Sequence, residues 1–229
     1  DYILGQSKGF FRGIGRYCRD TSKVKYFPSW SEPDFSKEAV TYVDDIVRHK
    51  NSFKVLFAGN VGDAQDFPSI LDAIELLKKH NAKVKVFIVG DGRMFDWLRR
   101  QIAKRELQDY IILLGRHPLE SMPSFYASAD ALLVSLKPSE VFAMTIPGKV
   151  QSYMVAGKPI LAMLDGEGER VVLEAKVGLT CAAGDFEELA KNITTMSLMS
   201  KNELAIMSAN GKDYASNEFD RKKLITQLE

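Results

Sequence analysis

Cysteine is scarce in this 229-residue chain, which has only Cys18 and Cys181, far apart and outside any metal-ligand spacing. A disulfide framework and a thiolate metal site are therefore not expected, and both thiols read as reduced rather than catalytic. Histidine is also sparse: His49, His80 and His117 are dispersed, so no metal is assigned. His80 falls at the end of a predicted helix, where a cation suits the macrodipole. No apolar run approaches the roughly 20 residues that span a bilayer, and Asp1-Tyr2-Ile3-Leu4 has neither the basic nor the apolar part of a signal peptide. Charge of one sign is missing too. Lys+Arg 31 against Asp+Glu 30 leaves a formal net charge of +1, which argues against a dedicated nucleic-acid binder and leaves any anionic ligand to local groups. No repeat or low-complexity tract interrupts the chain. The expectation is a cytoplasmic protein, with peripheral attachment to the inner membrane as a second reading.

What is present is enough apolar material for a full core: 45% hydrophobic and 10% aromatic residues over a length that suits one to two domains. From Phe53 onward, short β-rich runs alternate with amphipathic stretches. The strand candidates are Phe53–Ala58, Val84–Val89, Ile111–Leu114, Ala131–Ser135, Ile160–Leu164 and Leu179–Cys181, mostly continuous apolar runs as expected where both sheet faces are covered. Between them, Ile70, Ile74 and Leu77 form one helical stripe and Met94, Leu98 and Ile102 another. This pattern predicts an α/β fold, a Rossmann-like parallel sheet flanked by helices on both faces. The C-terminal stretches Phe186–Met196 and Lys201–Gln227 read as helices over the sheet edge. The opening differs, with a short strand Tyr2–Leu4, an aromatic-basic helix Gly9–Cys18, a strand-like Val24–Phe27 and a linker Ser29–Pro33. With no starting Met, the chain is expected to be a fragment, residues 1–36 being the remnant of a preceding domain and 37–229 the second domain.

In open α/β sheets, ligands sit beyond the carboxyl ends of the strands, so the turns there carry the functional signal. Gly59-Asn60-Val61-Gly62 follows the first strand, Gly90-Asp91-Gly92-Arg93 the second and Gly115-Arg116-His117-Pro118 the third. The loop Leu136–Pro147 follows the fourth and leads into a helix opening at Gly148-Lys149. Glycines there let backbone amides approach an anion, and a helix N-terminus adds partial positive charge. Each Gly-x-Gly turn also has a purely structural reading as a tight connection, but two on one rim point to a nucleotide or sugar phosphate. Lys149 in the first helical turn opposes the macrodipole, which makes sense if an anion sits there; the alternative is a solvated lysine whose stem covers apolar surface.

The order Phe57-Ala58-Gly59-Asn60-Val61-Gly62, Val89-Gly90-Asp91-Gly92, Leu114-Gly115-Arg116, Met122-Pro123-Ser124-Phe125-Tyr126-Ala127-Ser128-Ala129-Asp130, then Pro147-Gly148-Lys149 with Tyr153-Met154-Val155-Ala156-Gly157-Lys158-Pro159, resembles the donor-binding half of family 4 retaining glycosyltransferases of the GT-B fold. Within it, the chain is similar to bacterial surface-polysaccharide enzymes of the L-fucosaminyltransferase kind. The resemblance implies a nucleotide-sugar donor, UDP-sugar as the first choice; no cofactor is expected beside it, and no metal, because no His/Asp/Cys cluster has metal-ligand spacing. It implies that Arg116 and His117 flank the base and that Gly148 and Lys149 face the diphosphate. Gly59, Asn60, Gly62, Gly90, Gly92 and Arg93 would complete the donor site, with Lys149 and Glu140 as the catalytic candidates.

Two departures stand out. Many members carry paired glutamates around the helix after the fourth strand, the second binding the ribose, and Ser152 holds that position here. Many also carry an Arg and a Lys after the first strand, where this chain offers Asn60 and Asp66, leaving Lys149 and Arg93 as the candidate cations. Glu140 is either the counterpart of the first glutamate or a solvated loop carboxylate. The implied partners are the nucleotide-sugar, the missing N-terminal acceptor domain and a glycan or lipid-linked acceptor, with no nucleic acid. The isolated chain is expected to bind nucleotide without transferring sugar. The rival readings are a sugar-nucleotide epimerase of similar fold and a non-catalytic nucleotide-binding module. For the aromatic-basic helix, membrane contact competes with plain domain packing.

Overall fold

The computed structural model describes residues 1–30 and 41–228. Two strands, β1 (Ile3–Gly5) and β2 (Val24–Tyr26), pair in parallel with Ile3 opposite Val24. Helix α1 (Phe11–Gly15) lies between them and α2 (Asp44–Val47) leads into the main sheet. That sheet follows as β3 (Phe53–Ala58), α3 (Phe67–Lys79), β4 (Val84–Val89), α4 (Phe95–Lys104), β5 (Ile111–Gly115), α5 (Met122–Ser128), β6 (Ala131–Ser135), α6 (Glu140–Ala143), α7 (Gly148–Ala156), β7 (Ile160–Met163), α8 (Glu167–Glu174) and β8 (Gly178–Cys181). Three helices close the chain: α9 (Phe186–Ser197), α10 (Lys201–Glu218) and α11 (Arg221–Thr226). The six strands β3–β8 are parallel in the order β5-β4-β3-β6-β7-β8.

The predicted stripes do what their period requires. Ile70, Ile74, Leu77, Leu98 and Ile102 are buried on one face with the inner residues of α9. On the opposite face Phe125, Val150, Tyr153, Val171 and Phe219 are buried against Leu56, Val134 and Ala162. Alternate residues of β3 feed the two layers, Phe57 into one and Leu56 into the other, so the sheet is covered on both sides as a Rossmann-like fold demands.

Several details differ from the sequence reading. The aromatic-basic stretch is a one-turn helical entry plus α1, not a helix from Gly9 to Cys18. The loop Leu136–Pro147 contains α6, and α8 fills a segment to which the sequence reading assigns no element. The C-terminal helix is two helices, because Asp220 caps a fresh start by accepting the Lys223 N–H at 2.8 Å. The expected linker and the boundary after residue 36 fall largely on residues 31–40, outside the described residues. Both cysteines are free thiols.

The opening unit packs onto the main body near the loop after β6. Buried Ser7 donates its hydroxyl to the Met144 carbonyl and accepts the Gly9 N–H at 3.2 Å. Gly9 lies so close that a side-chain carbon there would come within 2.8 Å of Met144 Cα. On α7, Gln151 Nε2 donates to the Ser29 carbonyl at 2.6 Å.

Candidate functional site

The chain leaves β3 for one side of the sheet, reaches β5 at that edge, and returns to build β6 on the other side of β3. The switch point therefore lies between β3 and β6, and a crevice is expected beyond their carboxyl ends. Gly59, directly after β3, has a φ of 140°, and a side-chain carbon there would come within 2.7 Å of Lys149 Cε. Gly90, directly after β4, has a φ of 137°, and a side-chain carbon there would overlap the Gly59 carbonyl. These two positions must be glycine for the two turns and the lysine to stack.

The expectation that the glycine amides await an anion needs correction. Gly59 N–H donates to the Val89 carbonyl at 2.9 Å and Gly90 N–H to the Gly115 carbonyl at 2.7 Å. Gly92 N–H donates to Asp91 Oδ1 at 2.7 Å, and buried Gly62 donates to Gln65 Oε1 at 3.1 Å. These glycines extend the sheet and permit close approach; their hydrogen bonds are already made.

A cavity of about 580 Å³ opens at this rim, lined by Gly59, Val89, Gly90, Arg116, His117, Pro118, Leu119 and Met122. A second hollow of about 370 Å³ shares Gly59, Gly90 and Arg116 with it and adds Asn60, Asp91 and Gly92. The ring of His117 lies 4.6 Å from that of Phe125, and its Nε2 contacts the Leu114 carbonyl at 3.1 Å. A carbonyl only accepts, so Nε2 is the donor in this contact. Arg116 is exposed at the mouth.

Helix α7 stands beside this rim, with Lys149 against Gly59. Pro147 precedes the helix, and it stops at Gly157, whose φ of 64° makes the left-handed turn into β7. The Lys149 side chain is half-buried, with its ammonium 5.0 Å from the centre of the Phe57 ring. Among the described residues it has no carboxylate partner, and burial pushes its pKa down. One turn later, fully buried Tyr153 anchors the helix to β3: its hydroxyl accepts the Ala58 N–H at 3.1 Å and lies 3.3 Å from the Ala58 carbonyl.

The structure thus gathers Gly59, Asn60, Gly90, Gly92, Arg116, His117 and Lys149 at one rim. Gly148 faces open space at the start of α7. Arg93 is exposed close enough to Asp63 to help hold that carboxyl below its usual range, though the ion pair from Lys137 is the larger cause. Glu140 is exposed at the start of α6, and Ser152 is half-exposed on α7 between buried Gln151 and Tyr153. Glu140, Gly148, Lys149, Ser152, Arg93 and Gly62 do not line the two hollows, Lys149 reaching the rim only through its contact with Gly59. Sequence reasoning missed Asp91 and Phe57 as parts of the site, and Tyr153 as its anchor. Spacing held one clue, since Tyr153 lies four residues after Lys149 and so on the same helical face. Among the described residues there is no His/Cys/Asp/Glu group able to hold a metal, and no helix is long and apolar enough to cross a membrane.

Comparison with known proteins agrees with this architecture. A probable glycosyltransferase of Pseudomonas aeruginosa, WbjE, is 32% identical over 172 residues, 71% of this chain and 41% of that protein. A lipopolysaccharide 1,2-N-acetylglucosaminetransferase of Salmonella typhimurium is 26% identical over 131 residues, 54% of this chain and 33% of that protein. The chain therefore spans well under half the length of these relatives. Among solved structures, HepE of Anabaena in complex with UDP superposes with a TM-score of 0.81 at 20% identity, over 99% of this chain and 62% of that one. The pneumococcal O-GlcNAc transferase GtfA, in complex with UDP and GlcNAc, gives 0.72 at 16% identity, over 100% of this chain and 44% of that one. These likenesses show the fold, a Rossmann-like parallel sheet of the kind that makes up one half of the GT-B architecture. The model of the glycosyl transferases group 1 family matches residues 41–214, so the chain belongs to that family.

Proposed function

We propose that this chain is the donor-binding domain of a retaining glycosyltransferase that takes its sugar from a nucleotide diphosphate-sugar, a UDP-sugar first of all, and serves bacterial surface-polysaccharide assembly. The observation that carries this reading is Lys149, an ammonium with no carboxylate partner among the described residues, packed against Gly59, which itself lines a cavity of about 580 Å³. That volume falls in the range of small-molecule sites. An unpaired, half-buried cation at a helix start is stabilised by an anion, and the departing diphosphate is one.

In this reading Arg116 and His117 flank the base, and Gly148 with Lys149 meets the diphosphate. Ser152 stands near the ribose, and Glu140 stands toward the sugar. As the glycosidic bond to phosphate breaks, negative charge grows on the diphosphate while the sugar becomes oxocarbenium-like. A fixed ammonium stabilises the transition state by more than the ground state. Neither a metal nor a covalent protein nucleophile has a role. The acceptor, a glycan or a lipid-linked sugar at the inner-membrane surface, is bound by a further domain, so this chain alone binds donor without transferring.

Calorimetry with UDP, GDP and ADP, each with and without EDTA, tests the reading. We expect UDP to bind most tightly and chelation to change nothing. Absence of nucleotide binding would overturn the donor-domain reading, and loss of UDP binding in EDTA would overturn its metal-free part.

A further inference from the structure

The two central strands β3 and β6 pair only through Val55–Ala131 and Leu56–Leu132, and separate beyond that point. In a strand, successive peptide groups face opposite neighbours. Gly59 N–H points to β4, where it bonds the Val89 carbonyl, so the N–H of the preceding Ala58 points into the opening toward β6. No strand residue meets it there. The Tyr153 hydroxyl from α7 does, accepting that N–H and reaching the Ala58 carbonyl, with the ring fully buried and edge-on to Tyr126 at 5.5 Å. Tyr153 therefore replaces a rung of the β-ladder beyond the last β3–β6 pair, one residue before Gly59 at the rim. Lys149 stands one turn earlier on the same helix, and its stem crosses Gly59, the residue after Ala58.

We infer that Tyr153 is a positioning residue: its bonds to Ala58 fix α7 against the end of β3 and thereby hold the Lys149 ammonium over Phe57 and Gly59. The nucleotide consequence rests on the donor-site reading above, whereas the positioning itself is open to measurement without nucleotide.

The test uses Tyr153→Phe, which keeps the ring and removes the hydroxyl. In protein carrying 13C-labelled lysine, the Lys149 Cε methylene is identified by its disappearance in Lys149→Ala. Its signal should be displaced upfield by the Phe57 ring current in the parent and should lose most of that displacement in Tyr153→Phe. The same variant should bind UDP about 2- to 10-fold more weakly, the worth of one ordinary hydrogen bond, while uridine binding is unchanged. An unmoved Lys149 signal in folded Tyr153→Phe overturns the inference. Should the variant not fold, amide exchange in the parent decides. The Ala58 N–H should be protected like the paired amides of Val55 and Leu56, and exchange at loop rates would overturn the inference. If the Lys149 signal moves but the parent binds no UDP, the donor-site reading fails and the positioning stands.

Discussion

Replacing Lys149 by Ala separates the roles open to this side chain. In the unliganded protein its ammonium is 5.0 Å from the Phe57 ring centre, lies beside Gly59, and has no carboxylate partner among the described residues. Removing it forfeits a cation–π contact worth about 0.5–1 kcal/mol but also relieves the desolvation that pushes its pKa down. The two effects oppose each other, so the unliganded domain should unfold within about 1 kcal/mol of the parent. Binding is different, because a hydrogen bond to a charged group is worth about 1.5–3 kcal/mol, and the loss should weaken UDP by roughly 10- to 100-fold. Uridine, which has no phosphate, should bind as before. Titration calorimetry of both ligands, with thermal unfolding of each protein, gives the three numbers. Equal losses for UDP and uridine would mean a base contact or a damaged fold. No loss for either would make Lys149 a solvated lysine whose stem covers Phe57, with Arg93 the next cation to test.

Gly90→Ala should lower stability by at least about 2 kcal/mol in denaturant titration, because the new carbon overlaps the Gly59 carbonyl at a strained φ. Gly148→Ala, facing open space, should leave the denaturation midpoint unchanged or raise it; a large loss there would refute the contrast. His49 tests the pH response. Its Nε2 is buried without a hydrogen-bond partner among the described residues, and burial and the charges of Lys85, Arg48 and Lys54 hold its pKa below the ordinary value, with Asp45 opposing them. The unfolded chain then binds the proton more readily than the folded one, so stability should fall as pH drops through the ordinary histidine range. His49→Phe should flatten that slope in thermal melts, and an unchanged slope would place the loss in other groups.

The sequence alone determined the parallel sheet and its two helical layers, because the signals involved are local. Runs such as Val84–Val89 are apolar throughout because both of their faces are covered. The stripe Ile70, Ile74, Leu77 has the helical period because one side of α3 is buried. It also marked the rim, since glycine-bearing turns after strands are visible as letters, and the motif order carried the family resemblance. Tertiary structure decided what those letters do. No periodicity shows that the Gly59, Gly62, Gly90 and Gly92 amides are already engaged, because three of the acceptors lie on other turns or strands or on a side chain folded back. Nor does local sequence show that Tyr153 bonds a residue 95 positions away, or that Ser7 reaches the Met144 carbonyl across 137. Asp220 was legible as a helix start once the burial of Phe219 was known, but without it the run from Lys201 onward reads as one helix. Local backbone preference and apolar patterning set the elements, whereas the packing of distant segments set which polar groups remain for a ligand, and at this rim that left the Lys149 ammonium without a carboxylate partner among the described residues.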